Sequence, residues 1–344
     1  MERPTDARPT PSKEIRMPVV RDPDTLLSGS MPIHLDPDVE AAIALDPDAP
    51  GTLPLADLRA EHDRNIAETV GAPEPVESVS HFSIPEHDLE LTCYQPADVR
   101  RPVPGLVFFH GGGWVVGSRG SHDPIARAIA NRSRSVVISV EYRLAPEHPF
   151  PRPVEDAVFA TRWVLDHARR LGVDPDHIGV GGDSAGGNLA AVVAWRLRDE
   201  DRPLACQFLL YPVTSALQDT PSYQEFAAGF GLTAADMAWF WSQYLGPSGD
   251  PKDPNASPLL VSDTTRLAPG IIVSAEADVL RDEAEAYADR LRGAGVPVVG
   301  IRSLGMPHAF LNFLGTSPAA RSLLGMVARE LGERLSIGVE WTPS

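Results

Sequence analysis

Beyond residue 103 the chain keeps returning to one pattern: a short, almost wholly apolar run followed by a longer run of helical periodicity. "VPGLVFFHGG" precedes "SRGSHDPIARAIANRS", "SVVISVEYRL" precedes "PVEDAVFATRWVLDHARRLG", and "HIGVGGDS" precedes "AGGNLAAVVAWRLRDE". A strand that is apolar along its whole length needs cover on both faces, and intervening helices supply it. Strands joined through helices run parallel. The pattern continues through "ACQFLLYP", "GIIVSAEAD", "RDEAEAYADRLRGAG" and "VPVVGIRSLG" to a last helix after Pro318. The expected fold class is therefore α/β, with a mostly parallel central sheet flanked by helices. Ahead of it, "VESVSHFSI" and "LELTCYQP" read as a hairpin turning at "PEHD".

Two stretches stand outside this rhythm. The first 54 residues hold ten of the 34 prolines, and residues 1 to about 33 read as an extended arm. "DPDVEAAIAL" then reads as a short helix capped by Asp36, with Pro37 in its first turn. "PLADLRAEHDRNIAETVG" reads as a second, with Leu55, Leu58, Ile66 and Val70 on one face and Gly71 as its stop. Between residues 215 and 250, "PSYQEFAAGF" and "TAADMAWFWSQYLG" read as aromatic-rich helices with no strand between them.

Thirty basic against 47 acidic side chains leave a net charge of −17, which repels nucleic-acid phosphate and anionic membrane surfaces. No window approaches the 18 or so apolar residues of a membrane span, and the start lacks a signal-peptide core. Cys93 and Cys206 lie in strand-like runs and read as small buried hydrophobes. A cytoplasmic enzyme acting on a small molecule is the expectation.

In open α/β sheets ligands bind beyond the carboxyl ends of the strands. There the sequence places Gly182-Asp183-Ser184-Ala185-Gly186, a G-x-S-x-G between a strand and a helix. In that context it is a nucleophile elbow: the tight turn pushes the serine hydroxyl out over the sheet. A serine needs a base, and the base needs a carboxylate to hold its tautomer. His308 follows the strand "VPVVGIRS", and Asp278 follows "GIIVSAE". Glu276, Asp282 and Glu283 compete with Asp278. The order Ser184, Asp278, His308 is that of α/β-hydrolases. Acyl transfer also needs donors for an oxyanion, and the glycines of "HGGGW" at 110–114 follow another strand. His110 is read as fixing that loop. The other histidines are expected mostly on the surface, and "EHD" at 61–63 and 86–88 as solvated charge.

Together "HGGGW", "YRLAPEHPFP", "GDSAGGN", "DVLRDE" and "PHAF" resemble the hormone-sensitive lipase-like family of bacterial carboxylesterases, the branch with a GDSAG elbow. The likeness runs from about Val76 to the last helix. It implies an α/β-hydrolase with a helical cap, acting on short-chain acyl esters through a Ser-His-Asp triad. Carried over, Ser184 is the nucleophile, His308 the base and Asp278 the acid, with Gly112, Gly113 and Ala185 as the oxyanion hole. Val279 and Ala284 stand where the family often has proline and glycine, which leaves the acid loop's shape open. Residues 1–75 are then an N-terminal arm and cap helices, 76–214 and 251–344 the catalytic domain, and 215–250 a cap insertion. The resemblance also implies a homodimer through the edge strand near 297–303.

Trp114, Phe310, Phe230 and Trp239 are the candidate pocket walls. Neither a cofactor nor a metal is expected, since no HExxH-type ligand cluster occurs. Other acyl substrates (aryl esters, lactones, acetylated sugars, amides) or a non-catalytic small-molecule binder on this fold remain the alternatives.

Overall fold

The computed structural model describes residues 33–43, 51 and 53–338; residues 1–32 of the proline-rich arm read at 1 to about 33 lie outside them. Eight strands form one sheet in the order β1-β2-β4-β3-β5-β6-β7-β8. They are β1 (Ser78–Ile84), β2 (Leu89–Gln95), β3 (Val103–Phe109), β4 (Val136–Glu141), β5 (Val173–Asp183), β6 (Gln207–Leu210), β7 (Gly270–Ala277) and β8 (Val298–Pro307). The hairpin β1–β2 is antiparallel, as is β2 against β4. All the other pairs are parallel.

Side chains alternate across the sheet. Leu106, Phe108, Val137, Phe208, Leu210, Ile271 and Val273 point into one cluster with helix α3 (Asp123–Ser133) and helix α9 (Pro318–Ile337), through Ile125, Ile129, Leu324, Val327 and Leu331. Each such fully buried side chain contributes roughly 1.5–3 kcal/mol. Helices α4 (Arg152–His167), α5 (Ala185–Arg196) and α8 (Arg281–Gly293) cover the opposite face.

Helix α1 (Pro37–Ile43) begins as expected, with Asp36 Oδ1 accepting the Val39 N–H at 3.3 Å. The single apolar face expected of helix α2 (Leu55–Thr69) divides in two. Ile66 and Val70 enter the main core, whereas Leu55 and Leu58 pack with Val115, Val116, Ala145, Trp239 and Phe240. "PSYQEFAAGF" yields only the single turn α6 (Ser222–Glu225). Helix α7 (Ala234–Leu245) forms with a full capping box between Thr233 and Asp236.

The registers Phe109↔Gly182, Asp183↔Leu210 and Leu210↔Val273 bring the carboxyl ends of β3, β5, β6 and β7 to one rim. At the far side Ala277 meets Pro307, so the ends of β7 and β8 meet there as well. Strand β8 closes the sheet as an edge, with Val299 and Leu304 exposed.

Candidate active site

Strand β5 ends at Asp183, and helix α5 starts at Ala185, leaving Ser184 alone at the turn. Its φ of 52° and ψ of −118° lie where a side chain is strained. The turn is held: Ser184 N–H donates to Leu210 O at 2.9 Å, and Ser184 O accepts from Asn188 N–H at 3.0 Å. Small neighbours let α5 come close, because a Cβ on Gly186 would lie 1.9 Å from Phe109 O.

His308 follows β8, with Nε2 2.9 Å from Ser184 Oγ and Nδ1 2.7 Å from Asp278 Oδ2. The neighbouring carboxylate assigns the proton to Nδ1, leaving Nε2 to accept from the serine hydroxyl. The other oxygen of Asp278 accepts Leu280 N–H at 2.9 Å. The three competing acids are engaged elsewhere. Glu276 accepts Gly305 N–H, Asp282 accepts Ser222 N–H, and Glu283 accepts the N–H groups of Thr214 and Ser215. Burial pushes the Glu283 carboxyl up to about 8, against the pull of those donors.

The glycine loop at 110–114 turns at Gly112, whose carbonyl accepts Val115 and Val116 N–H. Gly112 and Gly113 have φ of 112° and 57°, and the Phe240 ring lies where a Gly113 side chain would be. Gly111 N–H is engaged by Asp183 Oδ1 at 2.9 Å, which leaves Gly112, Gly113 and Ala185 as the available amides. Helix α2 braces this loop from outside. Arg59 Nε donates to Val115 O at 2.8 Å, Nη2 donates to Ala145 O at 3.1 Å, and the guanidinium pairs with Glu147.

Two of the expected pocket walls are corrected. Trp114 and Phe310 are both 0% exposed and so line no accessible space. Trp114 stacks on Tyr244 at 4.1 Å. Phe310 backs Tyr211, which in turn meets the His308 ring edge-on at 5.1 Å. Both therefore stand behind the site. Trp239 and Phe230 remain half-buried; Trp239 lies edge-on to Phe240 and Phe230 edge-on to Phe226. Tyr211 carried no usable signal in the sequence, since "LLYP" reads as the end of a buried strand.

The surface placement expected of most of the other histidines fails at His122 and His62, and His110, read as fixing the glycine loop, is buried as well. His62, within the first "EHD", has its Nε2 enclosed with no partner. Burial, reinforced by His122, holds His110 down to about 4; burial holds His62 down to about 3. Because the folded state binds fewer protons there than the unfolded one, stability falls as pH drops from about 6.5 toward 4. For His110 alone the loss is roughly 3 kcal/mol. Urea midpoints measured between pH 7 and pH 4 are expected to show this slope, and His110→Gln is expected to flatten it. An unchanged slope in that variant would locate the acid sensitivity elsewhere.

Among the described residues, no helix is long and apolar enough to cross a membrane. A family model for the α/β hydrolase fold matches residues 106–312. The carboxylic ester hydrolase LipN of Mycobacterium tuberculosis is 44% identical over 274 residues, 75% of this chain and 72% of that protein. An ethyl acetate hydrolase of Pseudomonas putida is 36% identical over 319 residues, 88% of this chain and all of its own length. Among solved structures, a thermostable esterase from Pseudomonas putida superposes with a TM-score of 0.83 at 36% identity, covering 89% of this chain and 99% of that one. The fold, the elbow and these likenesses agree: the chain belongs to the carboxylesterases of the α/β hydrolase fold.

Proposed function

We propose that the protein hydrolyses short-chain acyl esters through an acyl-enzyme formed on Ser184. His308 takes the hydroxyl proton as Ser184 Oγ attacks the ester carbonyl. Asp278 holds the imidazole and stabilises its charged form. The oxyanion rests on the N–H groups of Gly112, Gly113 and Ala185. His308 then protonates the leaving alcohol, and water, activated by the same base, releases the acid. What carries this reading is the unbroken hydrogen-bonded chain from Asp278 through His308 to Ser184, at 2.7 and 2.9 Å.

Helices α1 and α2 and the insertion at 215–250 act as a cap. Phe240 and Trp239 of α7 and Leu55 and Leu58 of α2 pack on Val115 and Val116, just past the oxyanion loop. A roof this close favours small acyl groups, and the P. putida relative is named for the hydrolysis of ethyl acetate, whose acyl group has two carbons. A nitrophenyl ester series tests this: the four-carbon ester is expected to turn over faster than the sixteen-carbon ester by roughly tenfold or more. The reverse order would sink the short-chain assignment, and faster turnover of amides or acetylated sugars would move the substrate class. The same reading keeps the protein in the cytoplasm with free thiols at Cys93 and Cys206, as a homodimer through the edge strand near 297–303.

A further inference from the structure

Asp183 stands between the last glycine of β5 and the nucleophile, yet its side chain points away from the triad. It is 2% exposed, and its two oxygens face different elements. Oδ1 accepts Gly111 N–H at 2.9 Å. Oδ2 lies 3.4 Å from His122 Nε2. His122, also 2% exposed, precedes helix α3 and has its Nδ1 3.1 Å from Ser121 Oγ. Burial pulls the Asp183 carboxyl upward, but His122, His110 and the Gly111 amide together outweigh it and hold the group below its usual range. A charge thus persists in a buried place, where its desolvation has to be offset by the Gly111 N–H and by His122.

Gly111 is gripped at both ends. Its N–H is on Asp183, and its carbonyl lies 2.8 Å from His110 Nδ1. His110 is itself fixed, its ring stacked on Tyr142 at 4.4 Å and its carbonyl accepting Tyr142 OH at 2.7 Å. The Gly111 carbonyl and the Gly112 N–H belong to one planar, trans peptide, so they point in opposite directions. Fixing Gly111 therefore fixes the direction of the first oxyanion donor. An oxyanion donor acts through preorganised placement, and its loss costs about 100- to 1000-fold in kcat.

We propose that the Asp183 carboxylate, partnered by His122, is the strut that sets the oxyanion loop against the nucleophile elbow, making Asp183 and His122 positioning residues for the transition state. This deepens the serine-esterase reading and rests on it. The elbow and the donor loop come from different strands, and Asp183 joins them directly: it is covalently next to Ser184 and one hydrogen bond from Gly111. A Cβ on Gly111 would lie 2.4 Å from Asp183 Oδ2, so the glycine is what lets the strut come this close.

The test compares two inhibitors on Asp183→Ala, Asp183→Asn and His122→Gln. A trifluoromethyl ketone adds to the serine and puts its oxygen on the oxyanion donors. The alcohol product binds without forming a tetrahedral centre. For Asp183→Ala we expect kcat to fall about 100-fold with KM changed less than about threefold, and ketone affinity to fall with kcat. Alcohol binding should hold. Asp183→Asn, which keeps an acceptor for Gly111 N–H, should recover most of the loss, and His122→Gln should fall between. If Asp183→Ala does not fold, the other two variants decide. Selective ketone loss, larger in His122→Gln than in Asp183→Asn, supports the strut; unchanged ketone affinity, or equal loss for both inhibitors, overturns it. Wild-type protein that resists a fluorophosphonate would overturn the serine reading and the strut together. Labelled wild type with undiminished ketone binding in the variants would overturn the strut alone.

Discussion

Ser184→Ala is expected to reduce kcat on a nitrophenyl ester by about 10,000-fold or more while leaving the fold intact. The variant removes the hydroxyl 2.9 Å from His308 Nε2, and alanine offers no substitute. Stability should barely move. The strained φ of 52° is a property of the backbone turn, and alanine meets the same penalty there as serine. The hydroxyl donates only to the base, so no other buried partner is orphaned. Thermal melts of the two proteins should therefore coincide within a few degrees. A variant retaining a tenth of wild-type activity, free of contaminating wild-type enzyme, would remove Ser184 from the chemistry.

The second large effect concerns stability. Gly186→Ala is expected to cost on the order of 3 kcal/mol in a urea titration, and to lower activity as well. The added methyl would lie 1.9 Å from Phe109 O and 2.6 Å from His110 O. Both contacts are backbone, so no side chain can swing away; helix α5 must move off β3, or the start of the oxyanion loop must shift. Gly293→Ala is the control. It sits at the end of helix α8 with nothing within 4 Å of the new methyl, and alanine there should be neutral or slightly stabilising. Equal effects at the two positions would show that the cost does not come from steric exclusion at the elbow.

Both predictions concern parts that were readable in the chain. Strands with no polar face, such as "LVFF" and "SVVISV", had to lie in a covered sheet. G-x-S-x-G at a strand–helix junction had to be an elbow, since few other uses need small residues on both sides of an exposed serine. The carboxyl-end rule then picked out Asp278 and His308. Where the reading fell short, the cause was the same each time: a residue's fate depended on a neighbour distant in sequence. "EHD" at 61–63 looks solvated because both its flanks are polar, but the fold encloses the His62 Nε2 near His110 and His122. Trp114 and Phe310 adjoin site residues in sequence, and adjacency in a chain does not give direction: Trp114 turns under Tyr244, and Phe310 turns under Tyr211. The apolar positions of α2 fit one helical stripe, but two separate clusters claim its ends.

The chain by itself determined the α/β class, the elbow at Ser184 and which residues fall at the strand ends, because these follow from local periodicity and from the small residues a tight turn requires. Tertiary structure decided how closely Asp278, His308 and Ser184 meet, which amides of the glycine loop remain available, and that Asp183 spans from the elbow to that loop. Those outcomes hang on hydrogen bonds of 2.7 to 2.9 Å between residues 30 to 124 positions apart. Only the packed sheet, with its registers fixed, sets distances of that kind.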